Sequence, residues 1–244
     1  MPFTASHPAL ILPLLKKRWV SASGLIMGSM VPDFEFFLRM EAHGPYGHGF
    51  WGMFWLNIPL ALGFICLYHL MVRNALIRNL PSYFERRFRI FTKFDWLSYF
   101  KAHFWTVVLS VLIGNLAHLL WDAFTHFDGF FVIHWPVLER NAWGLPLYDI
   151  LQYAFSLVGA LCILKYIASL PTGRPVAKVK NNLWYWSLLT IVCALVMTVR
   201  FWGVPGFDFD DQIVCLLLSF MVGLLVASLI DPYLKNRIRR PLRE

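Results

Sequence analysis

The chain has 244 residues, of which 58% are apolar and 15% charged, and its formal net charge at pH 7 is +8. Soluble domains are nearer half apolar and a quarter charged, so this composition excludes an ordinary soluble domain and favours an integral membrane protein. The basic charge does not indicate nucleic-acid binding, because the lysines and arginines stand beside apolar runs, where they orient membrane proteins and contact anionic lipids.

Apolar runs that approach the length of a bilayer crossing, about 20 residues of helix, recur along the chain. Only helices or closed barrels satisfy the backbone in lipid, and the alternating pattern of a barrel is absent. The sequence therefore predicts an all-α integral membrane protein, a helical bundle of about six spans in a single domain over residues 1–244. The predicted spans are residues 19–38, 50–72, 104–124, 147–169, 183–204 and 212–230.

The segments outside the predicted spans have distinct compositions. Residues 1–18 are predicted to form a short N-terminal helix, residues 76–101 an interfacial basic and aromatic amphipathic helix, and residues 231–244 a basic tail. Most of the 22 lysines and arginines fall on one side of the membrane when residues 73–103, the loop near residue 175 and the tail are placed together. The positive-inside rule makes that side the cytoplasm, so the C-terminus is predicted to be cytoplasmic.

The four cysteines do not indicate a disulfide framework. Cys66, Cys162, Cys193 and Cys215 each fall in a different apolar run without paired spacing. They are therefore predicted to be small core residues and neither disulfide partners nor thiolate metal ligands. Serine hydrolase and nucleotide-binding chemistry is not indicated either, because the chain has no Gly-x-Ser-x-Gly elbow, P-loop or dinucleotide fingerprint.

The most informative stretch, His118-Leu-Leu-Trp-Asp122-Ala-Phe-Thr125-His126, closes the apolar run that begins near residue 104. On a helix these two histidines and the aspartate between them line one face, because they are four residues apart. Imidazole and carboxylate groups suit zinc or a similar divalent ion. Ionisable groups inside a span are costly and usually functional, although a polar cluster that only joins helices gives the same pattern.

Residues on different predicted spans reach the same depth. His118 and Asp33 each lie 14 residues from the inner end of their spans, about 21 Å at 1.5 Å per residue. Pro32 predicts a break just before Asp33, as is tolerated where a helix lines a cavity. Other histidines converge there from the outer mouth and from the N-terminal segment. The predicted metal ligands on this outward-facing cavity are His7, Asp33, His48, His118, Asp122 and His126.

Three motifs carry a resemblance to known families. They are Met1-Pro-Phe-Thr-Ala-Ser-His7-Pro, Gly28-Ser-Met-Val-Pro32-Asp33-Phe and the stretch from His118 to His126. With them the chain resembles the domain-of-unknown-function 4184 family of bacterial membrane proteins, which implies the bacterial cytoplasmic (inner) membrane. More distantly it is similar to predicted membrane-bound metal-dependent hydrolases of the LexA-regulated type. Glu35 matches a second carboxylate that usually follows Pro-Asp there, whereas Gly49 replaces the arginine that usually follows the middle histidine.

These residues favour a metal-dependent hydrolase that acts on a lipid or phosphoester substrate at the outer leaflet, with one or two divalent ions, most readily zinc. Asp33, His118 and Asp122 are the first expected ligands. Asp122 or Glu35 is the candidate catalytic base. Membrane lipids are the expected partners.

Two other functions remain open from the sequence alone. A metal-ion or proton transporter also uses intramembrane histidine and aspartate, although the sequence has no second matching half. A non-catalytic membrane scaffold would use the polar cluster only to hold its helices together.

Overall fold

A computed structural model of the chain describes residues 4–173, 183–202 and 208–231. The described chain is mostly helical, and its strands are those of a two-stranded antiparallel hairpin, β1 (Asn141–Ala142) and β2 (Leu145–Pro146). Residues 232–244, where a basic tail was predicted, and residues 174–182, which include much of the predicted basic loop, lie outside the described residues. The prediction of an all-α class is confirmed for the part of the chain that is described.

The α-helices range from single turns to membrane length. They are α1 (Ala22–Gly28), α2 (Phe34–Arg39), α3 (Ile58–Leu67), α4 (Arg73–Asn79), α5 (Ser82–Phe88), α6 (Trp96–Ala102), α7 (Phe104–Thr125), α8 (Phe130–His134), α9 (Leu147–Ser169), α10 (Leu183–Phe201) and α11 (Phe209–Ile230). Turns of 3-10 helix occur at Thr4–Ala9, Leu12–Leu14, Val31–Asp33 and Arg89–Phe91, and turns of π-helix flank α3 at Met53–Asn57 and Tyr68–Val72.

Among the described residues, five helical segments are long and apolar enough to cross a membrane. They are Met53–Asn79, Phe104–His134, Leu147–Ser169, Leu183–Phe201 and Phe209–Ile230. They correspond to five of the six predicted spans and support a multi-pass membrane protein. The prediction of about six spans is not confirmed.

The remaining predicted span, residues 19–38, is not one long helix. It is divided into α1, the 3-10 turn at Val31–Asp33 and α2. Pro32 stands inside that turn, where its missing N–H and fixed ring prevent a regular helix from continuing. The predicted break at Pro32 is therefore present, and it ends the first helix well short of a full crossing.

Proline also shapes two segments that were predicted as single helices. Residues 4–14 form two 3-10 turns with Pro8 inside the first and Pro13 at the start of the second. Residues 76–101 form the end of α4, then α5, a 3-10 turn and α6. Leu80 has extended backbone before Pro81, as expected of a residue that precedes proline.

The described chain divides into two compact units. The first comprises Met1–Glu35, Gly44–Ile65 and Leu97–Ser169, and the second comprises Phe36–His43, Cys66–Trp96 and Leu170–Glu244. All of the predicted metal ligands belong to the first unit. The prediction of one domain over residues 1–244 stays a prediction.

In the first unit, α1 packs directly on α7 through glycines. A Cβ atom at Gly28 would lie 2.2 Å from the carbonyl oxygen of Val111, and one at Gly114 would lie 2.3 Å from that of Leu25. Small residues let the two backbones approach this closely, a packing mode common between membrane helices. This approach brings the turn that follows α1, which contains Asp33, against the middle of α7.

The N-terminal segment of the first unit is held on α9. The Ser6 hydroxyl donates to the carbonyl of Ser156 at 2.7 Å. A Cβ atom at Gly159 would lie 2.9 Å from the Ser6 carbonyl oxygen, so glycine is needed for this contact. These two contacts fix the position of His7, the next residue, beside α7.

In the second unit, α10 packs along α11 around buried Tyr185, Leu189 and Ala227. The hydroxyl groups of Tyr185 and Ser228 lie 3.0 Å apart, so a hydrogen bond joins the two helices. The Asn79 side chain donates to the carboxylate of Asp231 at 3.1 Å. These polar contacts join the ends of α4, α10 and α11.

The cysteines only partly follow their prediction. Cys193 and Cys215 are buried and Cys66 is half-buried, whereas Cys162 is exposed on α9. All four thiols are free, as predicted. The prediction that Cys162 is a core residue is wrong, because its side chain is exposed.

Candidate metal centre

Five ionisable side chains meet in the first unit, although they come from four separate places in the chain. His7, Asp33, His118 and Asp122 are buried, and the His48 side chain is 28% exposed. The 3-10 segments contribute His7 and Asp33, a loop contributes His48, and α7 contributes the other two. The structure therefore brings together residues that lie up to 115 positions apart in the sequence.

Helix α7 sets one part of the cluster directly. Nε2 of His118 lies 2.9 Å from Oδ2 of Asp122, one helical turn further along the same face. The ring of His7 stacks on that of His118 with centroids 4.1 Å apart. Nε2 of His7 lies 3.2 Å from Oδ1 of Asp122, so the two carboxylate oxygens face two different histidines.

Asp33 presents its two oxygens to different partners. The Thr4 hydroxyl donates to Oδ2. Oδ1 lies 3.3 Å from Nε2 of His48 and 3.6 Å from Nε2 of His118. The hydrogen bond from Thr4 thus leaves Oδ1 to face the imidazole nitrogens.

The loop that precedes His48 is held by hydrogen bonds between its backbone and two buried side chains. The carboxylate Oε2 of Glu35 accepts from the backbone N–H of Tyr46, at 3.0 Å, and from that of Gly47. The side-chain amide of Asn57 donates to the Gly47 carbonyl at 2.7 Å. Gly47 is therefore held from both sides, directly before the histidine, and these contacts favour a positioning role for Glu35 over its predicted role as catalytic base.

The hydrogen bonds of two histidines determine which ring nitrogen carries a proton. Nδ1 of His118 lies 2.9 Å from the carbonyl oxygen of Ser29, and Nδ1 of His7 lies 3.1 Å from that of Thr4. A carbonyl oxygen only accepts, so both Nδ1 atoms must be donors. In the neutral ring, Nε2 is then an unprotonated acceptor, and in both residues it faces Asp122.

His48 is held in a strongly charged environment. Burial alone would lower its pKa, but hydrogen bonds to the carboxylates of Asp122 and Asp33 outweigh burial and raise the pKa of His48 to about 9. Without a bound metal ion, the ring therefore carries a proton at pH 7. The two carboxylates attract positive charge to the centre of the cluster.

Two groups of three side chains have the spacing of metal ligands, and they share His118. One is His7, His118 and Asp122, and the other is Asp33, His48 and His118, with the ligand atoms of each group within 4.8 Å of one another. Two histidines and a carboxylate are a common ligand set for catalytic zinc, which leaves a fourth position for water. Because Nδ1 of His118 is bonded to Ser29, its single remaining nitrogen can serve only one of the groups at a time.

The predicted ligand His126 stands at the edge of this cluster. It follows the last residue of α7 and has extended backbone, with φ of −119° and ψ of 146°. Its Nδ1 lies 3.4 Å from Oδ1 of Asp122. Two further histidines, His69 and His103, have other partners. The His69 ring lies 2.9 Å from the Arg73 guanidinium, and that of His103 contacts the Tyr99 carbonyl.

Sequence reasoning did not identify Thr4, Ser29 and Asn57 as parts of the site. Thr4 and Ser29 lie inside the quoted motifs, but their partners are distant in the sequence. Thr4 bonds to Asp33, which is 29 positions away, and Ser29 bonds to His118, which is 89 positions away. Asn57 offered a clearer signal, because it is a polar amide within an apolar run and is fully buried. An amide in such a place usually has a specific partner.

Comparison with known proteins agrees with the motifs. No curated protein and no solved structure matched the chain. The sequence profile of the domain of unknown function (DUF4184) matches residues 1–232, which contain every residue of the cluster. The chain therefore belongs to the DUF4184 family.

Proposed function

We propose that the chain is a membrane-bound metal-dependent hydrolase that acts on a lipid or phosphoester substrate. The observation that carries the proposal is the position of His118, whose Nδ1 contacts the Ser29 carbonyl and whose Nε2 lies 3.6 Å from Asp33 and 2.9 Å from Asp122. In the neutral ring this Nε2 atom is available as a metal ligand beside two carboxylates, whose charge a divalent ion would balance.

The geometry favours Asp33, His48 and His118 as the residues that would hold a zinc ion. Asp33 is oriented by the Thr4 hydroxyl, and hydrogen bonds of this kind are typical of carboxylate ligands. Three protein ligands leave room for water and substrate. Asp122, whose Oδ2 lies 3.5 Å from Nε2 of His48 and 2.9 Å from Nε2 of His118, would then act as the general base.

The proposed reaction is hydrolysis of an ester. A bound divalent ion lowers the pKa of a water molecule and polarises the phosphoryl or acyl oxygen of the substrate. Asp122 accepts a proton from the water, and the water oxygen bonds to the phosphorus or acyl carbon. The ester bond to the alcohol breaks, and the alcohol leaves with the proton that Asp122 had accepted.

The membrane arrangement belongs to the same proposal. The chain lies in the bacterial cytoplasmic membrane with its C-terminus in the cytoplasm, as the distribution of lysine and arginine favours. The short helices α1 and α2, together with the turn between them, take the place of a sixth span. The cluster then faces the outer leaflet, at the depth of lipid ester bonds.

Elemental analysis of detergent-purified protein tests the proposal. We expect at least one zinc or similar ion per chain in the wild-type protein and less than about a tenth of that in His118→Ala, because His118 belongs to both ligand groups. His134→Ala is the matched control, since His134 is exposed and contacts the Phe130 carbonyl; it should keep the metal.

A metal-free wild-type protein would contradict the proposal and favour a structural role for the cluster. A protein that binds metal, hydrolyses no lipid ester and carries the ion across proteoliposomes would instead be a transporter.

A further inference from the structure

An apolar groove of about 410 Å³ lies in the first unit. Leu10 bounds it at the N-terminal segment, Leu120 and Trp121 on α7, and Phe155, Val158 and Cys162 on α9. Its volume falls within the range of about 300–1,000 Å³ that is usual for small-molecule sites. No charged residue is among those that line it.

Trp121 connects this groove to the candidate metal centre. Its indole ring lines the groove and lies 5.4 Å from the ring of His7, centroid to centroid. Leu10, which also lines the groove, is three residues beyond His7. One end of the groove therefore adjoins the histidine that contacts Asp122.

Trp121, which lines the groove, also carries a buried polar atom. Nε1 of Trp121 is buried and has no hydrogen-bond partner among the described residues. Buried indole N–H groups usually have an acceptor. An oxygen atom of a molecule that enters the groove from the side of His7 would supply one.

The surroundings of the groove favour one kind of occupant. Both α7 and α9 are apolar enough to cross a membrane, and Leu120 and Val158 are half-exposed at 50% and 55%. The medium at this face is therefore hydrocarbon, and the polar end of the groove is the His and Asp cluster. A molecule that matches both ends has a hydrocarbon chain attached to a polar ester.

We infer that the groove holds an acyl chain of a phospholipid substrate while its phosphate ester reaches the cluster. This inference rests on the proposed function and names the substrate class. The Trp121 N–H donates to an ester oxygen of the lipid, and Phe155 and Val158 contact the chain. The substrate thus enters from the bilayer side of α7 and α9.

Photo-crosslinking tests the inference. The probe is phosphatidic acid with a diazirine near the end of one acyl chain, added to the purified full-length chain. We expect saturable labelling of α9 at Phe155, Val158 and Cys162, displaced by excess unlabelled phosphatidic acid. Trp121→Phe, which keeps the apolar ring but removes the N–H, should raise the half-saturating concentration about fivefold.

Two tryptophan substitutions on α9 form a matched pair. Cys162→Trp fills the groove and should reduce labelling at least fivefold. Leu164→Trp adds the same side chain to an exposed position on the opposite side of the helix and should leave labelling unchanged. Non-saturable labelling in the wild-type protein would overturn the inference, since the groove would then be ordinary lipid-facing surface.

The metal content of the same preparations separates the two proposals. Saturable labelling of a metal-free protein would support the groove as a lipid site and contradict the hydrolase. A metal-loaded protein whose labelling does not saturate would overturn the groove alone.

Discussion

His118 and Asp122 stand one turn apart on α7, whereas Asp33 and His48 stand on a 3-10 turn and a loop. We call the first two the helix pair and the others the loop pair. The helix pair is positioned by a 22-residue helix, whose backbone hydrogen bonds fix both Cα atoms. The loop pair has no such support, and side chains elsewhere in the first unit hold it.

This difference shows how each pair responds to change. In the helix pair, a substitution removes a functional group but leaves the backbone of α7 in place. In the loop pair, the hydrogen bonds from Thr4, Glu35 and Asn57 determine whether the groups meet at all. Substitutions that spare the ligands themselves should therefore weaken metal binding only on the loop side.

The largest effect expected from the helix pair is on catalysis. Asp122→Asn keeps the size of the side chain but removes the base, so hydrolysis should fall by about 10²–10⁴-fold while the metal content stays near that of the wild-type protein. Elemental analysis and an assay of phosphate release from phosphatidic acid measure the two quantities. Asp128→Asn, an exposed aspartate just after α7, is the control and should retain activity. Loss of the metal in Asp122→Asn would make Asp122 a ligand, as the sequence first suggested.

The loop pair should depend on Asn57. Asn57→Leu removes the amide that donates to the Gly47 carbonyl, so the loop before His48 becomes less well positioned. Hydrogen-bonding partners behind a ligand typically contribute about 10–100-fold to metal affinity, and we expect a loss in that range in competition with a chelator of known affinity.

Asn115→Leu provides the matched control on the helix side. Asn115 is also fully buried, and neither atom of its amide has a partner among the described residues. Replacing such a group with an apolar one of similar size should not destabilise the protein, and the metal affinity should stay the same. Equal losses of metal affinity in Asn57→Leu and Asn115→Leu would contradict the proposed difference, because the two pairs would then be equally sensitive to their surroundings.

The difference between the helix pair and the loop pair also explains how much of the site could be predicted from the sequence. Positions 118 and 122 share a face of any helix, so the helix pair followed from spacing alone. Asp33 was placed beside His118 by counting residues from the inner ends of two spans, and the two side chains do meet at 3.6 Å. That count succeeded although residues 19–38 form two short helices, because α1 and α7 pack closely through their glycines.

The supporting hydrogen bonds could not be predicted in this way. Ser29 acts through its carbonyl oxygen at the C-terminal end of α1, and Thr4 acts through its hydroxyl and carbonyl on a 3-10 turn. Glu35 matches the second carboxylate that follows Pro-Asp in the predicted hydrolases, and a carboxylate at that position suggested a catalytic base. Only the path of the loop shows that its carboxylate receives the backbone N–H groups of Tyr46 and Gly47.

The loop pair should also make metal binding depend on pH. His48 has a pKa of about 9 in the metal-free protein, so at pH 7 its proton must leave before the ring can bind an ion. Affinity should therefore rise about tenfold per pH unit up to pH 9 and change little above it. Chelator competition at several pH values measures how steeply metal affinity rises with pH. His48→Ala should bind metal more weakly, and its affinity should rise less steeply with pH. A wild-type affinity that is constant between pH 7 and 9 would exclude His48 as a ligand.

The smallest effect is expected at His126, which sequence placed on the same helical face as the helix pair. The structure ends α7 at Thr125, so His126 leaves the helix and its side chain is 29% exposed. Its contact with Asp122, at 3.4 Å, reaches Oδ1, the oxygen that also faces His7 at 3.2 Å. Removing the His126 side chain should leave the contacts of Asp122 with His7 and His118 in place.

We therefore expect His126→Ala to change metal affinity by less than about threefold, well below the loss expected for an outer hydrogen-bonding partner. Chelator competition measures this directly beside Asn57→Leu. A loss of tenfold or more would place His126 among the ligands and would extend the helix pair to a third residue.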